Sequence, residues 1–348
     1  MTRPICIMAL LLVSLRSAPS SAQQELSFRV LGLFHPRELI VEPAGGQTLL
    51  ASAPGYAPYL LNGEPGHSTL AFHAEGNRVM AGERSAAEWN VSTRDGSRAA
   101  LLLEVPGKLR RLYEATLVLT AHHGELVAII SMDRETAVAS VVAAELTASS
   151  PIEAMKAQAV AARSFLVSGR RHAGYDFCDT THCQFLRSPP AASSGATRAA
   201  SETRGMVLEY EGRPIGAMYS SRCGGRTRSL QQVGMNAGDG YPYYGVRCDY
   251  CRRHPVRWQT AIGGAALAPR PGNEARRIGA ARQWGWSAIP GSDFKSSRKG
   301  AAWELAGSSL GHGVGMCQFG AEGMARSGAS FRAILQHYYP NTSLVTFR

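Results

Sequence analysis

Residues 132–170, MDRETAVASVVAAELTASSPIEAMKAQAVAARSFLVSGR, constrain this chain more than any other stretch. Two helical patterns flank a short break at 147–150. In the first, Val138, Val141, Val142 and Glu145 recur at helical spacing, which puts Glu145 on the valine face near the helix end. The second is predicted to open at Ser150, with Pro151 and Glu153 behind it, as a capping box with proline at the first helical position. Ala154, Ala157, Ala161 and Phe165 form its apolar stripe, and Gly169 ends it. The small alanines let another element come close. A carboxyl group is therefore expected at a helix-to-helix corner. Among apolar neighbours its pKa would rise, making it a general acid still protonated near neutrality. At a helix end in water it would be an ordinary solvated carboxylate, and spacing alone favours that second reading.

The 348 residues suffice for two modest domains or one large one. A net charge of +11 suits an anionic partner such as lipid headgroups or an acidic wall polymer. No concentrated Lys/Arg run is present, so a nucleic-acid arm is not indicated. Arg3, the apolar residues 5–15 and the small residues Ser20, Ser21 and Ala22 read as a secretory signal over residues 1–22. No other apolar stretch is long enough to cross a membrane. The body is thus expected in an exported compartment, periplasmic or wall-associated. Cys6 leaves with the signal, and the remaining six of the seven cysteines allow many disulfide pairings.

Residues 23–130 carry short apolar runs cut by Gly, Pro and Asn, and 28–34, 48–51, 99–105, 113–119 and 127–130 read as strands. His122 and His123, at a turn, are read as solvated. In 170–186, RRHAGYDFCDTTHCQFL, the residues His172, Cys178, His182 and Cys183 are a two-Cys, two-His set of the kind that holds zinc. A Cys178–Cys183 disulfide, or pairing with distant cysteines, remains open. Residues 189–201 read as a loop leading into a short helix. Residues 206–219 read as a hairpin turning at Glu211-Gly212. The Ser- and Gly-rich turn that follows can present backbone N–H groups to an anion or a sugar hydroxyl. Cys248 and Cys251 form one C-x-x-C, weak evidence for zinc or redox chemistry and equally open to a disulfide with Cys223. Residues 261–300 read as an exposed, partly helical excursion. There Trp284 and Trp286, with Trp303 beyond, are candidates for stacking on sugars or for packing. Near the C-terminus, His312 and Gln318 stand among Gly311, Gly313, Gly315 and Gly320, a candidate cleft wall. A helix is predicted over 321–326, and Ser330 caps another that stops before Pro340.

AELTASSPIEAMKAQAVAARSF, DTTHCQ, AMYSSRCGGRT and GHGVGMCQFGAEGMARSGASFRAILQHYYP occur here in one order. Together they resemble the stage II sporulation protein D (SpoIID) and amidase-enhancer family over residues 110–345. The resemblance implies a mixed α/β core holding the paired helices over 111–348. With the short strands read above as a β-rich region over 23–110, the expected fold class is α+β. The resemblance also implies a peptidoglycan lytic transglycosylase that cleaves between N-acetylmuramic acid and N-acetylglucosamine and leaves 1,6-anhydro ends. Glu145 matches the family's catalytic acid. Arg163, Gln184, Tyr219, Ser220, Ser221, Gly224, Gly225, His312 and Gln318 match its cleft and are expected at the substrate. His172, Cys178, His182 and Cys183 look like the zinc-binding segment of some members, a structural metal with none required for the chemistry. The sequence departs from the pattern in Glu145-Leu146-Thr147, where Glu-Met-Pro is common, and in Cys223, where Ser is common. The other activity the resemblance implies is a non-catalytic enhancer that binds peptidoglycan and a cell-wall amidase.

Overall fold

A computed structural model describes residues 25–236, 240–263 and 273–347. The expected signal at 1–22 lies outside them. Eleven strands fill residues 25–133, from β1 (Glu25–Val30) to β11 (Glu125–Asp133). Their apolar residues alternate, as in β9 (Ala99–Val105), where Ala99, Leu101, Leu103 and Val105 are buried. Alternation of this kind suits an antiparallel sheet with one face on a core. β10 (Leu109–His122) is the long member. Its first half pairs with β9, and its second half with β11 and with β8 (Glu88–Ser92), so one strand carries the sheet around a bend. The boundary expected at residue 110 falls inside this strand.

The polypeptide passes from β11 directly into α1 (Arg134–Glu145), whose Asp133 cap accepts the N–H groups of Glu135 and Thr136. α2 (Ile152–Val167) follows. The capping box expected at its start does not form. The Ser150 hydroxyl is instead bonded to Glu322, far along the chain, and Glu153 accepts from Lys156 and from the N–H of Phe331. A tertiary partner has won over the local one. Next come β12 (Phe177–Cys178), parallel to β1, and α3 (Gly195–Glu202), capped by Ser194. β13 (Met206–Tyr210) and β14 (Arg213–Pro214) make the expected hairpin, but only two residue pairs long.

The remaining elements are β15 (Tyr219–Ser220), α4 (Leu230–Val233), α5 (Asp249–Arg253), β16 (Trp258–Gly263), α6 (Asn273–Trp284), β17 (Phe294–Lys299), β18 (Ala302–Gly307), β19 (Met316–Cys317), α7 (Gln318–Arg326), α8 (Phe331–Tyr338) and β20 (Ser343–Thr346). β20 pairs with β13, and β15 lies parallel to β19. The excursion expected at 261–300 holds more regular structure than its sequence suggested. β16, β18 and β17 form an antiparallel sheet over a small core of Ile262, Ala280, Ile289, Phe294 and Leu305. In β17 only Phe294 is buried, so no period-two signal marks it as a strand. Trp303 packs on this core, whereas Trp284 and Trp286 stay exposed.

α2 is the centre of the molecule. Met155, Ala159, Ala162, Phe165 and Leu166 belong to the core under the large sheet, together with α1 and α3. Ala157, Val160 and Ala161 belong to a second core made with Ile215, Val314, Met316, Ile334 and Leu335. A helix apolar on all sides is one buried on all sides. Its alanines are what let two cores close on it. The protein is α+β, as its sequence indicates.

Candidate functional site

Glu145 is the last residue of α1 and is half-buried. Its Oε2 accepts a hydrogen bond from Nε2 of Gln318, the first residue of α7, at 3.0 Å. The other proton of that nitrogen points to Oε1 of Gln158 on α2, at 3.3 Å. The N–H of Phe185 also donates to the carboxylate, and Arg187 is the cation that acts on it. Burial raises the Glu145 pKa and outweighs these contacts, each of which lowers it. Among the described residues no second carboxylate joins this network.

β15 and β19 deliver the other wall. Tyr219 pairs with Met316, and Ser220 with Cys317, which places both beside Gln318. So close a pairing requires Gly315, where a Cβ would fall 1.9 Å from the Met218 carbonyl oxygen. The Tyr219 phenol is raised well above its ordinary pKa, first by burial and then by the charge of Glu145. The Ser220 hydroxyl is buried with no hydrogen-bond partner among the described residues. His312 accepts the Val314 N–H on Nδ1 at 3.1 Å, so the neutral ring carries its proton on Nε2. Burial lowers the His312 pKa and keeps the ring neutral. Gly224 and Gly225 form the turn after β15 with φ of 72° and 111°. Ser221 is exposed, and its carbonyl accepts the Phe319 N–H at 3.1 Å.

Two residues expected at the substrate face elsewhere. Arg163 is fully buried and spends all five donors inside the fold. Nε and Nη2 bind Glu135 of α1 at 2.8 and 2.6 Å, and the rest reach the Ala200 and Met206 carbonyls and the Thr203 hydroxyl. It locks α1, α2, α3 and β13 together. Gln184 is buried too, and donates from Nε2 to the Ala162 carbonyl at 3.2 Å. It anchors the segment that presents the Phe185 N–H to Glu145.

Gln158 is the site residue that sequence reasoning passed over. Its signal was present: a polar side chain at the centre of a helix otherwise lined with alanine is buried only where it has work to do.

Ahead of Gln184, the ligand atoms of His172, Cys178, His182 and Cys183 all lie within 4.8 Å of one another. Cys183 Sγ is 3.3 Å from His172 Nε2 and 3.5 Å from His182 Nδ1, and Cys178 Sγ is 3.8 Å from His182 Nδ1. Zinc bonds of about 2.0–2.3 Å in a tetrahedron put neighbouring ligand atoms roughly 3.3–3.8 Å apart, so these separations fit. Both thiols are free. Elsewhere, a cavity of about 850 Å³ lined by Gly224, Trp258, Asp293 and Ser308 lies apart from the Glu145 network.

Residues 122–210, which hold α1, α2 and the His/Cys segment, match the SpoIID stage II sporulation protein family. The stage II sporulation protein D of Bacillus amyloliquefaciens is 26% identical over 75% of this chain and 88% of its own. An uncharacterised protein of Brachyspira hyodysenteriae is 26% identical over 68% of this chain and 73% of its own. The amidase enhancer of Bacillus subtilis is 24% identical over 58% of this chain, which spans 39% of that longer protein. The family match runs through the helix that ends in Glu145 and the segment that holds it, and the chain is similar there to the stage II sporulation protein D family and more widely to its named members.

Proposed function

We propose that the protein is an exported peptidoglycan lytic transglycosylase with Glu145 as its acid and then its base. The observation that carries this reading is a single half-buried carboxyl, raised in pKa and oriented by Gln318, with no partner carboxylate among the described residues. Two-carboxylate glycosidases use the second group to attack or to activate water. A lytic transglycosylase replaces it with the substrate's own hydroxyl. Protonated Glu145 gives its proton to the oxygen between N-acetylmuramic acid and N-acetylglucosamine. The bond from the muramoyl C1 to that oxygen breaks, and positive charge develops at C1. The muramoyl 6-hydroxyl attacks C1 and returns its proton to Glu145. The products are a 1,6-anhydro end and a free 4-hydroxyl.

The buried hydroxyl of Ser220 supports a polar ligand here. An unpartnered buried polar atom costs about 1–3 kcal/mol, which a sugar hydroxyl or a water would relieve. We assign His172, Cys178, His182 and Cys183 to a structural zinc that stiffens the segment carrying Gln184 and Phe185. Four protein ligands leave no open position on such an ion, so the proton transfers belong to Glu145.

Likeness to an amidase enhancer favours a second reading, a binder of glycan and of a cell-wall amidase that cleaves nothing. Mass spectrometry of purified peptidoglycan after incubation separates the two. Anhydro-muropeptides are expected from the parent protein. With Glu145→Gln their release should fall by about 10²–10⁴-fold, the usual contribution of a general acid. Undiminished release by that variant sinks the role of Glu145, and no release by the parent favours the binder.

A further inference from the structure

We propose that Cys223, Cys248, Cys251 and Cys317 hold a second structural zinc ion, separate from the His/Cys segment. The four come from distant stretches: the turn after β15, the two ends of the C-x-x-C at α5, and the junction of β19 and α7. Their sulfurs nonetheless lie within 4.8 Å of one another, all four residues are buried, and all four thiols are free. They sit in the second core, on α2's other side from the sheet core on which Cys183 packs.

Three readings of four buried sulfurs compete. As plain apolar packing, four thiols would need no convergence on one point. As disulfides, they would have to stand in pairs. Cys251 Sγ and Cys317 Sγ are instead 3.4 Å apart, against about 2.05 Å in a bond. A zinc tetrathiolate, with Zn–S bonds of about 2.3 Å, has sulfur–sulfur edges of roughly 3.8 Å. The cluster is close to that size before any ion draws it into shape.

The surroundings are those of a thiolate. The N–H groups of Cys223 and Gly320 both donate to Cys317 Sγ at 3.4 Å, and the Tyr338 hydroxyl lies 3.4 Å from Cys248 Sγ. Gly320 is required for this closeness, since a Cβ there would fall 2.5 Å from Cys248 Sγ and 2.0 Å from the Tyr338 oxygen. Four thiolates around one zinc would leave a net charge of −2; α5 carries Arg252 and Arg253 beside Arg247, with Asp249 paired to Arg247 and Arg252. All-sulfur tetrahedral donor sets select zinc over oxygen-seeking cations.

The ion would also bear on the reading above. Cys317 immediately precedes Gln318, and the ion would tie that junction to α5 and to the Gly224 turn. It would thereby fix the donor that orients Glu145. The metal assignment stands or falls without that reading, because its test reads metal and not cleavage.

Purified full-length protein should carry two zinc ions per chain by mass spectrometry of the metal, and a Cys178→Ser/Cys183→Ser variant should carry one. That variant, refolded with cobalt, should show visible bands of tetrahedral geometry and a strong near-ultraviolet sulfur-to-metal band. Alkylation of the denatured parent protein, with and without reductant, provides a check independent of any variant. Cysteines 223, 248, 251 and 317 should alkylate without reductant once metal is chelated. A single zinc that is lost with Cys178 and Cys183 overturns the proposal. So does alkylation of the other four only after reduction.

Discussion

Glu145 works through opposed influences that can be separated one residue at a time. Burial raises its pKa, and the Gln318 bond lowers it. Gln318→Leu removes the donor at nearly constant volume. The alkaline limb of kcat/KM should therefore move to higher pH, and an unmoved limb would mean that the bond does not act on the acid. Stability gives a second readout. A carboxyl whose folded pKa lies above its unfolded value contributes stability fully only below the unfolded value, and loses it as pH rises through the folded one. Thermal unfolding of Glu145→Gln, compared with the parent between about pH 4 and pH 8, should thus show the variant gaining relative stability toward the alkaline end. The sequence placed this carboxyl at a helix corner and could not bury it. Its burial and its partners, Phe185 and Gln318 among them, come from residues far away along the chain, and Ser150 shows the same limit. Its local capping signal was sound, yet its hydroxyl is bonded to Glu322.

At the scale of elements, α1, α2, α7 and α8 were legible because their signals are local: helical spacing, Ser330 as a cap, Gly169 and Gly328 just past the ends. The strands of residues 25–133 were legible from alternation. Arg163 was misplaced because motif position does not reveal helical phase, and its phase turns it into the core against Glu135. Removing one partner of such a pair leaves the other charge buried alone, at a cost of about 3–5 kcal/mol. Arg163→Ala should therefore lower the unfolding free energy by that amount in denaturant titration. A loss of activity with unchanged stability would instead return Arg163 to the substrate. β16 to β18 escaped notice because exposed strands such as Lys295–Lys299 leave no periodic trace.

At the scale of the molecule, the two cysteine-bearing clusters divide between the two cores, the His/Cys segment beside the sheet and the all-cysteine cluster behind α2. No linear spacing could announce the second, since its four members meet only after the chain has returned from residue 223 to residue 317. Chelation should loosen the molecule unevenly. Hydrogen exchange should rise first around α5, the Gly224 turn and the start of α7, and around residues 172–186, while β9 to β11 stay protected. Uniform exchange after metal removal would argue against a local clamp. No helix of the described residues is long and apolar enough to cross a membrane.

A helix that lends a different side to each of two interiors leaves neither half self-sufficient. Were the backbone severed in the turn between α3 and β13, each fragment would expose the surface the other had covered. Produced together, the fragments should find one another and rebuild the fold; produced singly, each should aggregate.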